Sequence, residues 1–579
     1  RLRPARAFLF EGETLQLQLT ELPIDGSSYP AATASFEVVD PAGAPTTAAT
    51  ITSAGVLTAV SAGEVKVRAS VQGAAVAAVE ASVRIYPVVT SGRRVIVIDS
   101  GTRQPLAGAT VLGCTDCTAP VEVVTDALGV ALFPSLSADA ATFTAASPSL
   151  RTDGLPSFER ASILGTTSRD VLLPLRDNPV KGAGGFSAAL SFSDVSTVGS
   201  YWAGFVTASV SDLPSLTPAS LLGENFLTQI PALNQSVPVP ATVILYTSPA
   251  FGIPQQVKPR SLGLAQSGER FMSAWAGRAN LDIATSLKST DVLSYLGAFD
   301  YAQDTNGSFA ARPFVPDTAD VNGNGLCANP QKCPMGTEDV PDYANFTRLN
   351  WQPRRQQRLR TEVVVPRLPS TFDTVIVAAV QLDGVAGMLP VGFSSKAAGT
   401  PGADGTRKVD PVSLRSGSPY NGLEATTPGV WVLATNNAGT AYSGRLTSFA
   451  TVPTSVLVTP FLPAPSGGSF NVATRVFNPG QPAWASAFSS GAQLARVSLT
   501  GTEVRHVVYF AMQGAQTQVA WPRAPQVPGV DPAGQSGTKL EVVTVDLAGN
   551  TTPEDVFDSR GVSLQGWLTV TDGYSRFDR

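Results

Sequence analysis

Short stretches in which apolar and polar residues alternate, each closed by glycine, proline or a small polar residue, recur along the whole chain of 579 residues. Alternation with period two puts successive side chains on opposite faces of an extended strand. Val65, Val67 and Ala69, separated by polar residues, therefore read as the buried face of a strand. Breakers are dense, with 52 glycines and 45 prolines, while charged residues make up only 15%. A helix-rich chain needs long amphipathic heptads and Glu/Lys-rich stripes, and neither occurs. Runs such as Val95 to Ile98 and Val363 to Val365 carry β-branched side chains that pack well on a pleated surface. The expected fold class is mainly β: tandem β-sandwich domains followed by a larger C-terminal β region with a few short helices.

This length exceeds what one hydrophobic core serves, and the usual domain size gives roughly four or five units. The net charge of −5 is spread thinly, so no nucleic-acid footprint and no polybasic membrane patch is expected. One local exception follows Trp351, where Arg354, Arg355, Arg358 and Arg360 are either a contact surface for an acidic partner or the charge that guards an edge strand. No apolar run approaches the ~20 residues of a membrane-spanning helix. The N-terminus has no charged segment leading into an apolar one, so for an exported protein the signal or lipoprotein leader is expected outside this chain.

The chain has a single histidine, His506. Any Ser-His-Asp triad has to use it, and there is no Gly-x-Ser-x-Gly elbow, phosphate-binding loop or dinucleotide fingerprint. His506 lies in a strand pattern, Val504 to Tyr509, on the opposite face from Val507. There it reads as a surface or partly buried strand side chain and not as a general base. A glycosidase needs only two carboxylates, but nothing singles out a pair. The expectation is that the protein is not an enzyme.

Four cysteines fall into two local pairs, Cys114 with Cys117 and Cys327 with Cys333. Short even spacing suggests two small disulfides. A thioredoxin-like use of Cys114 and Cys117 needs a following helix to lower a thiol pKa, and no helical pattern follows. A shared zinc site is opposed by the more than 200 residues between the pairs. Disulfides imply a periplasmic or extracellular compartment.

Two motifs carry family resemblances. Gly55 to Ser70 (GVLTAVSAGEVKVRAS) resembles the bacterial immunoglobulin-like domains of invasin and intimin type, over residues 1–87. The resemblance implies that Gly55 opens a tight strand and that Gly63 sits in a hairpin, positions that favour φ > 0. It also implies a rod that sets distance from a cell. Gln104 to Val111 (QPLAGATV), answered by Thr125 to Gly129 (TDALG), resembles the carboxypeptidase regulatory-like, transthyretin-related sandwich, over residues 88–177. That resemblance implies strands at Arg94 to Asp99 and Pro105 to Val111 and a turn at Thr125 to Gly129 leading into Val130 to Phe133. In the turn, Asp126 accepts backbone hydrogen bonds and Gly129 relieves crowding. No zinc-peptidase pattern accompanies it.

The remainder divides into a β-rich domain with short helices at 178–360, a β domain at 361–465 and an immunoglobulin-like or fibronectin-like β domain at 466–579. Strands are expected at Ala188 to Phe192, Val206 to Val210, Ala241 to Tyr246, Val375 to Val380 and Gly429 to Ala434. Phe271 and Trp275 read as core residues. Short helices are expected from Thr217-Pro218, with Leu221, Leu222 and Phe226 on one face, and after Ser289 or Thr290, with Val292, Leu293 and Leu296. The segment Val562 to Thr571 is expected to add or cover an edge strand. Asp320 to Gly325 (DVNGNG) resembles the calcium loops of EF-hands, dockerins and thrombospondin type 3 repeats, with oxygen ligands at alternate positions and a glycine for the bend. The resemblance implies ligands at Asp320, Asn322 and Asn324, and the Leu326 carbonyl as a further donor. Gln331 stands where an EF-hand has its bidentate Glu, so Asp317 and Asp339, with Glu338 and Asp342 nearby, are the candidates to complete a structural calcium site. The alternative is an ordinary Asn-Gly surface turn stapled by Cys327 and Cys333.

The expected role is a non-enzymatic cell-envelope or extracellular scaffold or binding protein for adhesion or surface recognition. Its partners would be a protein or glycan at the cell surface, without nucleic acid and without a transmembrane segment. Two alternatives are an accessory lipoprotein subunit of an outer-membrane β-barrel or secretion assembly, and a polysaccharide-active enzyme.

Overall fold

A computed structural model describes residues 2–3, 6–19, 34–71, 78–136, 139–151, 154–180, 358–383, 387–394, 402–415, 426–436, 439–557 and 571–579, and between 181 and 357 only strand segments and residues 209–210. The chain is mainly β, built of sandwiches with a few short helices.

In the first sandwich, strands Arg6–Phe10, Val79–Tyr86, Gly63–Val71 and Ala34–Val39 form one sheet in that order, opposed by Thr14–Gln16, Val56–Ala59 and Ala49–Ile51. Alternation decides which side chains meet: Leu9, Val65, Val67, Ala81, Val83 and Leu57 are fully or almost fully buried in one core, while Glu64, Lys66, Arg68 and Arg84 stay outside. Each such valine or leucine contributes about 1.5–3 kcal/mol on burial. Gly55 has φ +81°, and a Cβ there would lie 2.7 Å from the Leu17 carbonyl oxygen.

The second sandwich packs the sheet Val130–Phe133, Arg93–Asp99, Asp170–Leu175 against Val121–Val124, Thr110–Cys114, Ala141–Ala146 and Arg160–Thr166. Phe133 and Phe143 meet across it at 5.4 Å. Asp126 accepts from the Leu128 and Val130 amides at 2.8 and 3.0 Å, and a Cβ on Gly129 (φ +71°) would fall 2.5 Å from the Val97 carbonyl oxygen. The strand expected from Pro105 begins only at Thr110. Pro105 forms an isolated bridge to Ile98, and Gly108 turns the chain with φ +75°. The Thr125 hydroxyl fastens that turn, donating to Leu106 O at 2.6 Å and accepting from Ala109 N at 2.9 Å.

Arg93–Asp99 is buried along its whole length because both of its faces are covered. Its outer face, with Ile96 and Ile98, packs with Leu172 against Phe8, Phe10 and Tyr86 of the first sandwich. In this joint the Tyr86 hydroxyl donates to Leu128 O at 2.7 Å, and the Arg94 guanidinium sits 5.2 Å over Phe10 while pairing with Asp170 at 2.6 Å. Burial pushes the Tyr86 hydroxyl up to about 12.

Towards the C-terminus, two further cores form around Val363, Val377, Val391 and Val432 and around Phe477, Trp484, Val497 and Val542. A single sheet of twelve strands joins them to the second sandwich. Its order runs Val121–Val124, Thr110–Cys114, Ala141–Ala146, Arg160–Thr166, Arg505–Ala511, Leu494–Thr500, Lys539–Leu547, Thr571–Asp578, Ala441–Ser448, Thr427–Thr435, Thr374–Asp383, Gly387–Ser394. The runs at 375–380 and 429–434 are accordingly central, buried strands.

Thr571–Asp578 lies antiparallel between Lys539–Leu547 and Ala441–Ser448 and bonds both. Residues 562–570, on which the expected edge strand falls, lie outside the described residues. One expectation changes. Phe226, expected on a helix, lies on the strand Asn225–Ile230, paired antiparallel with Gln235–Pro240. A short isolated helix is marginal, and the neighbouring strand supplies a ladder instead. The rest of that segment and the helix expected after Ser289 lie outside the described residues. The α-helices among the described residues are Ala483–Ser489 and Pro553–Phe557.

Candidate functional site at the seam around His506

Parallel pairing of Arg160–Thr166 with Arg505–Ala511 sets Arg160 opposite His506, Ala161 opposite Val507 and Ser162 opposite Val508. Both segments begin with charged residues and continue as apolar runs, so pairing them brings Glu159, Arg160, Arg505 and His506 to one end of a buried seam. His506 and Ser162 are completely buried, which corrects the expectation of a surface or partly buried histidine.

The Ser162 hydroxyl lies 2.8 Å from His506 Nε2, and Asp531 lies 4.0 Å from Nδ1. The constellation has the composition of a catalytic triad but the opposite proton arrangement. Trp521 Nε1 stands 3.1 Å from Nδ1, and an indole N–H only donates. Nδ1 is therefore the acceptor, and the proton of the neutral ring sits on Nε2, facing Ser162. A serine nucleophile needs a bare Nε2 to take its proton and an Nδ1–H held by the carboxylate, but Asp531 at 4.0 Å is beyond hydrogen-bond reach. The Ser162 hydroxyl accepts from His506 and shares a second hydrogen bond with the Thr144 hydroxyl, 2.8 Å away. What results is a closed hydrogen-bond chain, Trp521 to His506 to Ser162 to Thr144.

Burial pushes the His506 imidazole below its ordinary value, and nearby Arg160 and Arg475 oppose a positive charge as well, against the opposite pull of Asp531. Burial also works against ionisation of Asp531, but the Arg475 guanidinium, 2.7 Å away, outweighs it and holds the carboxyl below its usual range. Around this chain Arg505 pairs with Glu159 at 2.5 Å, and Arg160 donates to Gly529 O at 2.6 Å. Asn178 Nδ2 donates to Glu503 O at 2.7 Å, and Glu554 accepts from the Thr166 hydroxyl at 2.7 Å. Each of these contacts joins the second sandwich to the C-terminal unit. Sequence reasoning singled out none of these partners except the histidine. The available signal was a charged pair, Glu159-Arg160, heading the apolar run that follows it.

Cys114 and Cys117 are joined by a disulfide where the strand Thr110–Cys114 ends. Cys327, Cys333, Asp317, Asp320, Asn322, Asn324, Leu326 and Asp339 lie outside the described residues, as do Arg354 and Arg355. Arg358 and Arg360 belong to the strand Arg358–Val365. Among the described residues no group of three or more His, Cys, Asp or Glu side chains is placed to hold a metal ion, and no helix is long and apolar enough to cross a membrane.

No protein-family model matches the sequence, and no curated protein matches it. Among solved structures, the chain is similar to the Bacillus anthracis TIE protein at 8% identity, covering 79% of this chain and 73% of that one, with a TM-score of 0.12. It is similar to Salmonella alpha-2-macroglobulin at 11% identity, covering 96% of this chain and 29% of that one, with a TM-score of 0.13. Similarity to the major pilin subunit of Bacillus cereus is at 10% identity, covering 64% of this chain and 99% of that one, with a TM-score of 0.11. Overlaps this poor carry no argument about function.

Proposed function

We propose that this chain is a non-enzymatic scaffold and binding protein of a bacterial envelope or extracellular surface, used in adhesion or surface recognition. The observation that carries the reading is the twelve-stranded sheet, in which the seam's ionisable groups are spent on joining units. Serine, histidine and carboxylate meet there with the proton on the wrong nitrogen for catalysis. A chain braced in this way holds its surfaces at fixed distances, which is what a projecting recognition module needs. The disulfide at Cys114 and Cys117 favours an oxidising compartment.

The first sandwich is read as an invasin/intimin-type immunoglobulin-like domain, supported by the left-handed Gly55. The second is read as a carboxypeptidase regulatory-like domain, supported by the Asp126 and Gly129 turn. Calcium at Asp317, Asp320, Asn322, Asn324, Leu326 and Asp339 is proposed to order the loop that carries them, and a melting temperature that falls on chelation and returns with added calcium tests it.

The test of the function is recovery of stoichiometric partners from native envelopes and glycan arrays with the full chain. Capture of a surface glycan or surface protein supports the reading. Recovery of an outer-membrane barrel would replace it with an accessory-subunit role, and turnover of a polysaccharide would overturn it.

A further inference from the structure

The twelve-stranded sheet ends differently on its two sides. On one, Gly387–Ser394 is continued by Val210, which exchanges both backbone hydrogen bonds with Met388 at 2.8 Å. On the other, Val121–Val124 pairs among the described residues with Thr110–Cys114 alone. Val130–Phe133 is likewise the outermost strand of the opposing sheet, so the second sandwich is open on the side where both of its sheets stop.

The direction of the free backbone groups follows from the ladder. Thr125 N donates to Ala109 O at 2.8 Å, and in an antiparallel pair successive residues turn their N–H and C=O alternately towards and away from the partner. Val121 and Val123 therefore bond inward to Thr110–Cys114, and Glu122 and Val124 turn theirs outward. Exposed edges are usually guarded by lysine, proline, a bulge or a cover. Here the register from Val121 to Val124 runs without a shift, and none of the four residues is lysine or proline. Val121 and Val124 are 41% and 57% exposed, and Leu132 on the neighbouring edge is 55% exposed.

Both ends of the strand are held. The disulfide between Cys114 and Cys117 ties the turn that leads into it, and beyond it the Thr125 hydroxyl bonds Leu106 O and Ala109 N. An edge already fixed in its bound shape loses little freedom when a further strand is added.

Charge selects the occupant. The stretch Gln104 to Leu150, which supplies both edges and the strands behind the first, has four carboxylates, Asp116, Glu122, Asp126 and Asp139, and no lysine or arginine. Asp116 and Asp126 accept from amides of their own turns, and Arg94, opposite Leu132, is paired with Asp170. Glu122 is exposed, with no partner among the described residues. Self-pairing of this edge would bring two acidic strands together with no cation to answer them, whereas a basic strand meets a waiting carboxylate.

We infer that Val121–Val124 docks an extended segment of a partner protein, with a lysine or arginine opposite Glu122 and apolar residues opposite Val121, Val123 and Val124. The inference rests on the recognition role proposed above and names the partner as a basic strand of polypeptide.

The experiment titrates the full-length protein, disulfide intact, with a short blocked peptide of valine and threonine carrying a central lysine. Its glutamate counterpart and a copy with every amide N-methylated serve as controls. Val124→Pro removes an outward amide at a position where an edge strand tolerates proline, and Glu122→Lys reverses the charge; unchanged melting curves confirm folding of both. The lysine peptide should bind and slow hydrogen exchange across 121–124, and the two controls should not. Each variant should bind it about tenfold more weakly, and Glu122→Lys should instead take up the glutamate peptide. Absence of binding, protection elsewhere than at 121–124, unchanged affinity in both variants or equal uptake of the N-methylated peptide would overturn the inference. So would dimerisation of the chain alone in sedimentation that Val124→Pro abolishes, because the edge would then belong to a second copy. If Val124→Pro still recovers envelope partners at the original level, the recognition role stands and this edge is excluded. If the original chain recovers none while the peptide binds as expected, the edge stands and the role falls.

Discussion

Protonating His506 should break the seam, and the chain's single histidine makes this measurable without ambiguity. The folded ring is neutral because burial depresses its pKa, whereas in the unfolded chain it titrates near 6.5. Below that pH the unfolded state binds a proton that the folded state refuses, so stability falls as pH drops from about 6.5 towards the folded value and is flat above it. The slope approaches about 1.4 kcal/mol per pH unit. Protonation also puts an N–H on Nδ1, against the Trp521 N–H at 3.1 Å, leaving two donors facing each other. His506→Gln should abolish this part of the slope. It should also lower stability at neutral pH by about 1–3 kcal/mol, because the Trp521 N–H loses its acceptor. The carboxylates with depressed pKa values, Asp531 and Glu541 (about 2), lose their contribution only as pH falls below the usual carboxylate range, so the two windows separate. Urea midpoints of both proteins between pH 5 and 8 provide the comparison, and nitrogen-15 NMR of labelled histidine provides one imidazole to assign. A folded ring carrying its proton on Nδ1, or one titrating at or above 6.5, would refute the reasoning.

Other perturbations address the joints. Glu159→Gln leaves Arg505 without its buried counter-charge, and loss of one partner of a buried pair costs about 3–5 kcal/mol; urea unfolding measures it, and a change within error would reduce the pair to decoration. Gly129→Ala forces a Cβ to 2.5 Å from Val97 O at φ +71° and should destabilise the chain by more than about 1 kcal/mol, read as a lower melting temperature, while Gly108→Ala, with nothing within 4 Å of its added Cβ, should cost less. Deleting 571–579 removes a strand bonded on both sides, so limited proteolysis should separate the units around Val377 and Val497; an unchanged cleavage pattern would show that the tail is dispensable.

Much of the strand content was legible because period-two alternation is local. Val65, Val67 and Ala69 reach the core through a geometry that any extended chain shares, and Asp126 and Gly129 specify their turn within five residues. The buried seam was not legible. Whether a strand such as Arg160–Thr166 ends a sheet or continues it depends on a partner more than 300 residues away, and backbone hydrogen bonds, which are the same for every sequence, leave no mark of that choice. The place of Thr571–Asp578 was hidden for the same reason: a strand looks alike in sequence whether it closes an edge or fills a gap. His506 gave no sign of burial, since its partners Ser162, Trp521 and Asp531 come from separate parts of the chain.

By itself the sequence determined a β architecture, the turns that punctuate it and the scarcity of imidazole that narrows its chemistry, because these follow from residue types and their near neighbours. Tertiary structure alone decided that one sheet runs through three units, that the C-terminal strand fills its middle, and that the lone histidine keeps its proton on Nε2. Those outcomes depend on which distant donor or edge arrives beside a residue, and that is set by packing across the whole chain.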